Sequence, residues 1–302
     1  MSGQYKRFPP GRGAVMVPMS SRADALAALA MYSAVRPRAA LAQMVARMGI
    51  ALFGARILPG KASPWLRPMD DATWAALDQA WRKDLGEYDA IAIYERGHVN
   101  RPGSAILLLR GGEPLAFVKV RCTDTASLQN EGQALEEVWR ARPRSFSVAQ
   151  PLGSGAVAGW YYLAMAPMAP HQHRVPSVAP LHAILEELRA ALCAHPKPEG
   201  MPSHWEPMHG DFTPWNLREM PSGKLMLVDW EYAGWGPPGA DEMLYRASHA
   251  AVTGRDPGPA DRHEAIQFWS DRMRAWPVTV DRDGRLVQAV LQAFARMDAA
   301  GR

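Results

Sequence analysis

The chain reads as an α+β protein in two lobes, a mostly antiparallel β lobe followed by a helical one. Three observations predict this. Between Ala90 and Val120 the runs IAIY, SAILLL and LAFVKV are short, apolar and β-rich, separated by Gly97, Pro102-Gly103 and Gly111-Gly112. From Leu181 onward apolar residues recur at steps of three and four, the spacing of amphipathic helices. Within that second half, Met208 to Glu231 reads MHGDFTPWNLREMPSGKLMLVDWE, a short hairpin flanked by acidic sites.

The 302 residues, 48% hydrophobic and 21% charged, allow one to three domains and a substantial core. Cys122 and Cys193 form no motif and read as buried small hydrophobes rather than a disulfide or zinc site. The start lacks the apolar core of a signal peptide, and no stretch is long enough to span a bilayer, so the cytoplasm is the expected compartment. The net charge of +4 is uneven: residues 1–68 hold ten basic side chains against Asp24 alone. Basicity therefore belongs to the N-terminal segment, and a nucleic acid is not among the expected partners.

Taken in order, the first twenty residues are rich in Gly and Pro and are expected to be poorly ordered. Ser21 caps a helix from Arg22 to about Ala34, and Pro37 interrupts it. A second helix, Arg38 to about Arg56, aligns Leu41, Met44, Val45, Met48 and Leu52 on one face, with Arg38 and Arg47 off that stripe. Such a face packs on the body of the protein, or rests on an anionic membrane as a peripheral contact, or meets a partner. Pro59-Gly60, Pro64 and Pro68 make a loop. Asp70-Asp71 then open a helix to about Leu85, with Trp74, Leu77, Trp81 and Leu85 facing the following sheet.

Lys119 stands within the third strand, between Val118 and Val120. A charge there needs a reason, either nucleotide phosphates or the exposed face of an edge strand. A helix from about Ala126 to Ala141 carries Glu131, Glu136 and Glu137. Trp160 to Met165 is a further apolar strand, ended by Pro167 and Pro170. His171-Gln172-His173, in a Pro-rich loop with no further ligand nearby, reads as exposed polar residues. Leu181 to Ala194 is a helix, and Pro196 to Pro207 a loop. Leu225 to Val228, after the turn Pro221-Ser222-Gly223, pairs with Asn216 to Met220. Tyr232 to Gly239 is too rich in Gly and Pro for a regular element. Helices from Asp241 to about Ala251, Ala260 to Ala275 and Gly284 to Ala299 finish the chain.

The hairpin brings Asp211, Asn216 and Asp229 to one end. Magnesium takes oxygen ligands, commonly one or two carboxylates plus substrate phosphates, and Asn216 and Asp229 fit that role. Asp211 is left to meet a hydroxyl nucleophile, the division of labour that phosphoryl transfer asks for.

His-Gly-Asp, four residues, Asn, then Asp after a hairpin resembles the catalytic core of the aminoglycoside phosphotransferase and choline kinase family, which has a protein-kinase-like fold and phosphorylates small molecules. The resemblance covers residues 88–252. It implies Asp211 as catalytic base, His209 bracing the loop, Asn216 and Asp229 as magnesium ligands, and Glu231 as an outer-sphere or second-metal contact. It also implies that Lys119 holds ATP phosphates and pairs with Glu131, or with Glu136 in reserve. Backbone groups near Met165 to Met168 would meet the adenine edge, and a phosphate-covering loop would lie at Gly97 to Ser104. Asp241 would be structural.

The expected organisation is a basic helical extension over residues 1–87, a nucleotide-binding lobe over 88–167 and a catalytic and substrate lobe over 168–302. The expected activity is ATP- and Mg2+-dependent transfer of the γ-phosphoryl group to a small-molecule hydroxyl, on a sugar or saccharide. Trp230, Tyr232 and Trp235 could stack on a sugar ring or belong to the core. Competing readings are a kinase-like nucleotide-binding or regulatory protein without turnover, and a membrane-surface adaptor.

Overall fold

The apolar runs that begin at Ala90 form the centre of a sheet much larger than three strands. The computed structural model describes residues 3–10, 15–32, 34, 37–94, 103–168, 176, 179–275 and 282–301. The chain divides into two units. Met1–Gly132, Ala149–Arg174 and Glu219–Lys224 make the first, and Gln133–Val148, Val175–Arg218 and Leu225–Arg302 the second.

The first unit is built on an eight-stranded antiparallel sheet. Its strands are β1 (Gln4–Phe8), β2 (Val15–Pro18), β3 (Ser63–Pro64), β4 (Ala90–Tyr94), β5 (Ser104–Arg110), β6 (Glu113–Arg121), β7 (Pro151–Val157) and β8 (Trp160–Met165). They lie in the order β3-β1-β2-β4-β5-β6-β8-β7. Two turns use left-handed backbone at successive residues, Gly111-Gly112 (φ 59° and 84°) between β5 and β6 and Ala158-Gly159 (φ 48° and 79°) between β7 and β8. That twist suits tight hairpins.

The central runs are continuous rather than alternating because both faces are covered. Ile91 and Ile93 of β4 and Ile106 and Leu108 of β5 pack with Trp74, Leu77 and Trp81 of helix α3 (Asp71–Leu85). Their neighbours Ala90, Ala92, Leu107 and Leu109 face the other way, onto α1 (Arg22–Leu29) and α2 (Pro37–Phe53). Ser21 caps α1 by accepting from the Asp24 N–H (3.0 Å), and Asp70 caps α3 by accepting from the Thr73 N–H (2.7 Å).

Three expectations need correction here, and the choice left open for the α2 stripe is narrowed. The Gly- and Pro-rich start supplies strands β1 and β2, whose Tyr5, Phe8, Val15, Met16 and Val17 are buried. The stripe on α2 faces outward: Leu41, Met44, Val45, Met48 and Leu52 are all exposed. The reason is that α2 turns polar groups inward. Buried Gln43 donates to the Leu29 and Tyr32 carbonyls (2.9 and 2.8 Å), and Arg47 reaches the Leu26 carbonyl (3.4 Å). Leu26 and Leu29 lie in the last turn of α1, whose carbonyls need donors, and Tyr32 lies three residues past its end. Cys122 and Cys193 are exposed free thiols, not buried hydrophobes. Lastly, β7 precedes β8 where no strand was expected.

The second unit holds the end of α4 (Thr125–Ala141), then α5 (Leu181–Ala191), β9 (Glu206–Met208), β10 (Leu217–Glu219) up to Arg218, its hairpin partner β11 (Leu225–Leu227), β12 (Gly234–Gly236), α6 (Ala240–Thr253), α7 (His263–Ala275) and α8 (Arg282–Ala300). Met243, Leu244, Trp269, Met273, Val290 and Phe294 knit α6, α7 and α8 into one core. The Gly-rich stretch after Glu231 does contain a strand: β12 pairs antiparallel with β9, which also shortens the loop expected before it. Backbone pairing needs no side chain, so the glycines do not prevent it. The connection through residues 95–102 and the histidines at 171 and 173 lie outside the described residues.

Candidate active site

The hairpin sets the geometry. Its turn closes through Met220 N–H to the Lys224 carbonyl (2.8 Å), with Gly223 at φ 76°. Asn216 is tied to the far strand, because its carbonyl accepts from the Val228 N–H (3.0 Å). Asn216 Nδ2 donates to the Asp211 carboxylate (Oδ2, 2.8 Å) and the Asp211 carbonyl (2.9 Å). The amide therefore holds both the backbone and the side chain of Asp211.

His209 is fully buried and braces the loop in a defined tautomer. The Asp211 N–H donates to Nδ1 (3.2 Å), so Nδ1 is the acceptor, and Nε2–H donates to the Val228 carbonyl (3.1 Å). A neutral imidazole thus links the catalytic-type loop to the strand that leads into Asp229. Asp241, at the start of α6, accepts from the His209 N–H (2.6 Å) and the Gly210 N–H (3.1 Å). Gly210 has φ 77°, and a Cβ there would lie 2.0 Å from the Tyr232 carbonyl oxygen. Only glycine fits.

Carboxylates crowd this end of the unit. Burial pushes the Asp211 carboxyl up to about 8; Asp229, Glu231 and Asp241 push the same way, while the Asn216 bond opposes them. Burial likewise raises Asp241 to about 7 against the pull of the His209 and Gly210 N–H groups. Asp229 itself has φ 64°, a left-handed backbone that an aspartate adopts at a cost and that is common at ligand-holding positions. Among the described residues no three His, Cys, Asp or Glu side chains form a metal cage. The donors available, two carboxylates and an amide oxygen, are those a hard divalent cation takes, with the remaining positions left for water and phosphate. A cation there would offset the repulsion that Asp211 feels, so the residues fit the group.

Of the aromatic residues near the loop, Trp230 is core: it is buried, packs on His209 (4.5 Å) and stacks on Phe146. Trp235 donates to the His195 carbonyl (3.1 Å), with Lys197 over its ring. Tyr232 is half-buried and lies under the Arg272 guanidinium (5.5 Å).

Sequence reasoning passed over Arg272. It projects from α7 across the rings of Tyr232, Phe268 and Trp269 and interacts electrostatically with Asp211. Burial holds its pKa down and Asp211 opposes that. No motif announces a cation sixty-one positions beyond its carboxylate; only the fold supplies the proximity.

Lys119 and Glu131 belong to the first unit. β6 is an interior strand, with Lys119 opposite Ala105 of β5 and Leu163 of β8, so the edge-strand explanation fails. Both side chains are buried, and Lys119 Nζ meets Glu131 Oε1 at 2.5 Å. Glu136 instead pairs with Arg140 on the surface. Met165 ends β8 and is buried, and Met168 follows it half-buried.

Residues 169–279 match the model of the phosphotransferase enzyme family. That span contains the whole hairpin site and Arg272. No curated protein matches the chain. Similar solved structures include an aminoglycoside-3'-phosphotransferase of type VIII at 17% identity, covering 74% of this chain and 100% of that one, with a TM-score of 0.42. An aminoglycoside 2'-phosphotransferase-IIIa in a GDP complex is 14% identical, covering 75% and 99%, with a TM-score of 0.49. The aminoglycoside phosphotransferase APH(3'')-Id from Streptomyces rimosus ATCC10970, in complex with ADP and streptomycin, is 14% identical over 75% and 99%, with a TM-score of 0.41. No helix among the described residues is long and apolar enough to cross a membrane.

Proposed function

We propose that this phosphotransferase moves the γ-phosphoryl group of ATP to a hydroxyl of a sugar or saccharide, with Asp211 as the group that receives the acceptor proton. The observation that carries the reading is the Asp211 carboxylate, oriented by Asn216 in a loop braced by His209 and Asp241, beside Asp229 and Glu231. A carboxylate so placed orients a hydroxyl and accepts its proton as the new P–O bond forms, while the nucleoside diphosphate leaves.

In this reading Asn216 and Asp229 hold Mg2+, and Glu231 steadies it from farther out. When bound, the metal neutralises charge on the β- and γ-phosphates. Lys119, fixed by Glu131, contributes its charge to the nucleotide phosphates. Backbone groups between Met165 and Met168 would meet the adenine edge, and of these the Ala166 N–H already donates to the Gln150 carbonyl (2.8 Å).

Arg272 bears on the acceptor. A guanidinium bedded on Tyr232 and within the field of Asp211 offsets part of the carboxylate charge there, which lowers the attraction for a polycationic aminoglycoside or choline and favours a neutral or anionic saccharide. The test is ATP consumption by the full chain across acceptors: neutral sugars, uronic acids or sugar phosphates, and aminoglycosides. Magnesium-dependent turnover with the first two classes supports the proposal. Nucleotide binding without turnover on any of them sinks it in favour of a regulatory protein, and faster turnover on aminoglycosides overturns the acceptor assignment.

A further inference from the structure

Eight of the eleven exposed large hydrophobic side chains among the described residues fall between Leu41 and Leu66. Leu41, Met44, Val45, Met48 and Leu52 form one stripe along α2, and Phe53 extends it at the C-terminal end; Leu52 and Phe53 are 63% and 67% exposed. Ile57, in the short 3-10 turn Ala55–Ile57 after the helix, comes back against Gly49 of α2, where an added Cβ would lie 3.2 Å from it. The patch is therefore continuous across two elements. Single exposed apolar residues are ordinary, whereas a contiguous face of this kind marks an interaction surface.

The charge around the face identifies its occupant. From residue 25 to residue 69 there is no Asp or Glu, and there are six Arg and Lys. Arg38 is exposed on α2 beside the stripe, Arg56 and Lys61 are exposed just beyond the helix, and the Arg22 side chain lies near Gly54 at its end. A second copy pairing through this face would set these cations against their own duplicates. A surface that takes up apolar side chains and presents negative charge has no such conflict. The inward face of α2 is already occupied, since Gln43 and Arg47 bond to α1 carbonyls and Ile50 is buried, so the helix need not refold to offer its outer side.

We propose that α2 and the turn after it dock the protein on anionic lipid, with the helix lying in the plane of the headgroups and its apolar stripe entering the acyl boundary. The proposal stands independently of the phosphotransfer reading and would place the protein at a membrane surface.

Sedimentation of the full chain with vesicles of phosphatidylcholine, alone or mixed with phosphatidylglycerol, tests it. Wild type is expected in the pellet with the anionic vesicles and in the supernatant with the neutral ones, with binding weakened by salt. Each basic residue at such a surface changes partitioning by about fivefold, so Arg56→Gln with Lys61→Gln should lower binding about 30-fold. Met48→Glu with Leu52→Glu should abolish it. Val252→Glu, at an exposed apolar residue on α6, should leave it unchanged. All substituted side chains are exposed, and circular dichroism checks that the variants fold. Wild type remaining in the supernatant with both vesicles overturns the proposal in favour of a protein partner. A dimer in sedimentation velocity that Met48→Glu with Leu52→Glu dissociates overturns it in favour of self-association, and binding unaltered in both double variants overturns it outright.

Discussion

At the scale of single residues, the loop from His209 to Asn216 depends on contacts that leave no freedom for substitution. Gly210→Ala forces a methyl group into the Tyr232 carbonyl at a backbone angle that alanine avoids. It should destabilise the protein by about 1–3 kcal/mol, read from denaturant unfolding, and depress turnover as well. Asp241→Ala removes the acceptor that His209 and Gly210 share and should cost about 1–3 kcal/mol for each donor, measured the same way. An Asp241→Ala protein as stable as wild type would show that the loop holds itself. The spacing of Asp211, Asn216 and Asp229 was readable because each sits at a fixed offset from one hairpin. Arg272 was not, because its relation to Asp211 exists only after α7 has packed. The exposure of Cys122 and Cys193 was equally hidden, since a lone cysteine carries no periodicity to show which way it points.

At the scale of elements, period and capping found most helices and the central strands. Trp74, Leu77 and Trp81 face the sheet as their spacing requires, and Ser21 and Asp70 cap where they should. The α2 stripe shows what periodicity omits: it reveals that a helix has two faces but not which one the protein uses. There the demand of α1 carbonyls for donors decided the orientation. Strands β1, β2 and β12 were missed because Gly and Pro obscure segments whose pairing rests on backbone bonds.

The junction of α3 and β4 yields a pH prediction. Asp78 accepts from Arg82 (2.8 Å) and from the Tyr88 hydroxyl. Burial alone would raise its carboxyl, but these bonds and the Arg82 charge outweigh burial and hold it below the ordinary value. Its contribution to stability is therefore complete above the unfolded pKa of about 3.9 and is lost as pH falls through the lower folded value. Asp78→Asn should be less stable than wild type at neutral pH, and the gap should close only in acid below about pH 4. A gap that stays constant into that range would show that the carboxylate charge has no part in it.

At the scale of the whole molecule, the α+β character and the order of β unit before helical unit were legible, because long apolar strand runs and helical stripes segregate along the chain. The size of the sheet was not, since three of its eight strands come from the N-terminal segment that composition marks as irregular. The proposed function rests on where the chain concentrates unfavourable chemistry: crowded carboxylates, a left-handed aspartate and a cation on aromatic rings occupy one end of the helical unit. The most direct test is the rate of phosphoryl transfer from MgATP to an acceptor hydroxyl by wild type and by Asp211→Asn, each saturated with nucleotide. The account predicts that kcat falls by about 10²–10⁴-fold while nucleotide affinity is retained; an Asp211→Asn protein turning over near the wild-type rate would contradict it.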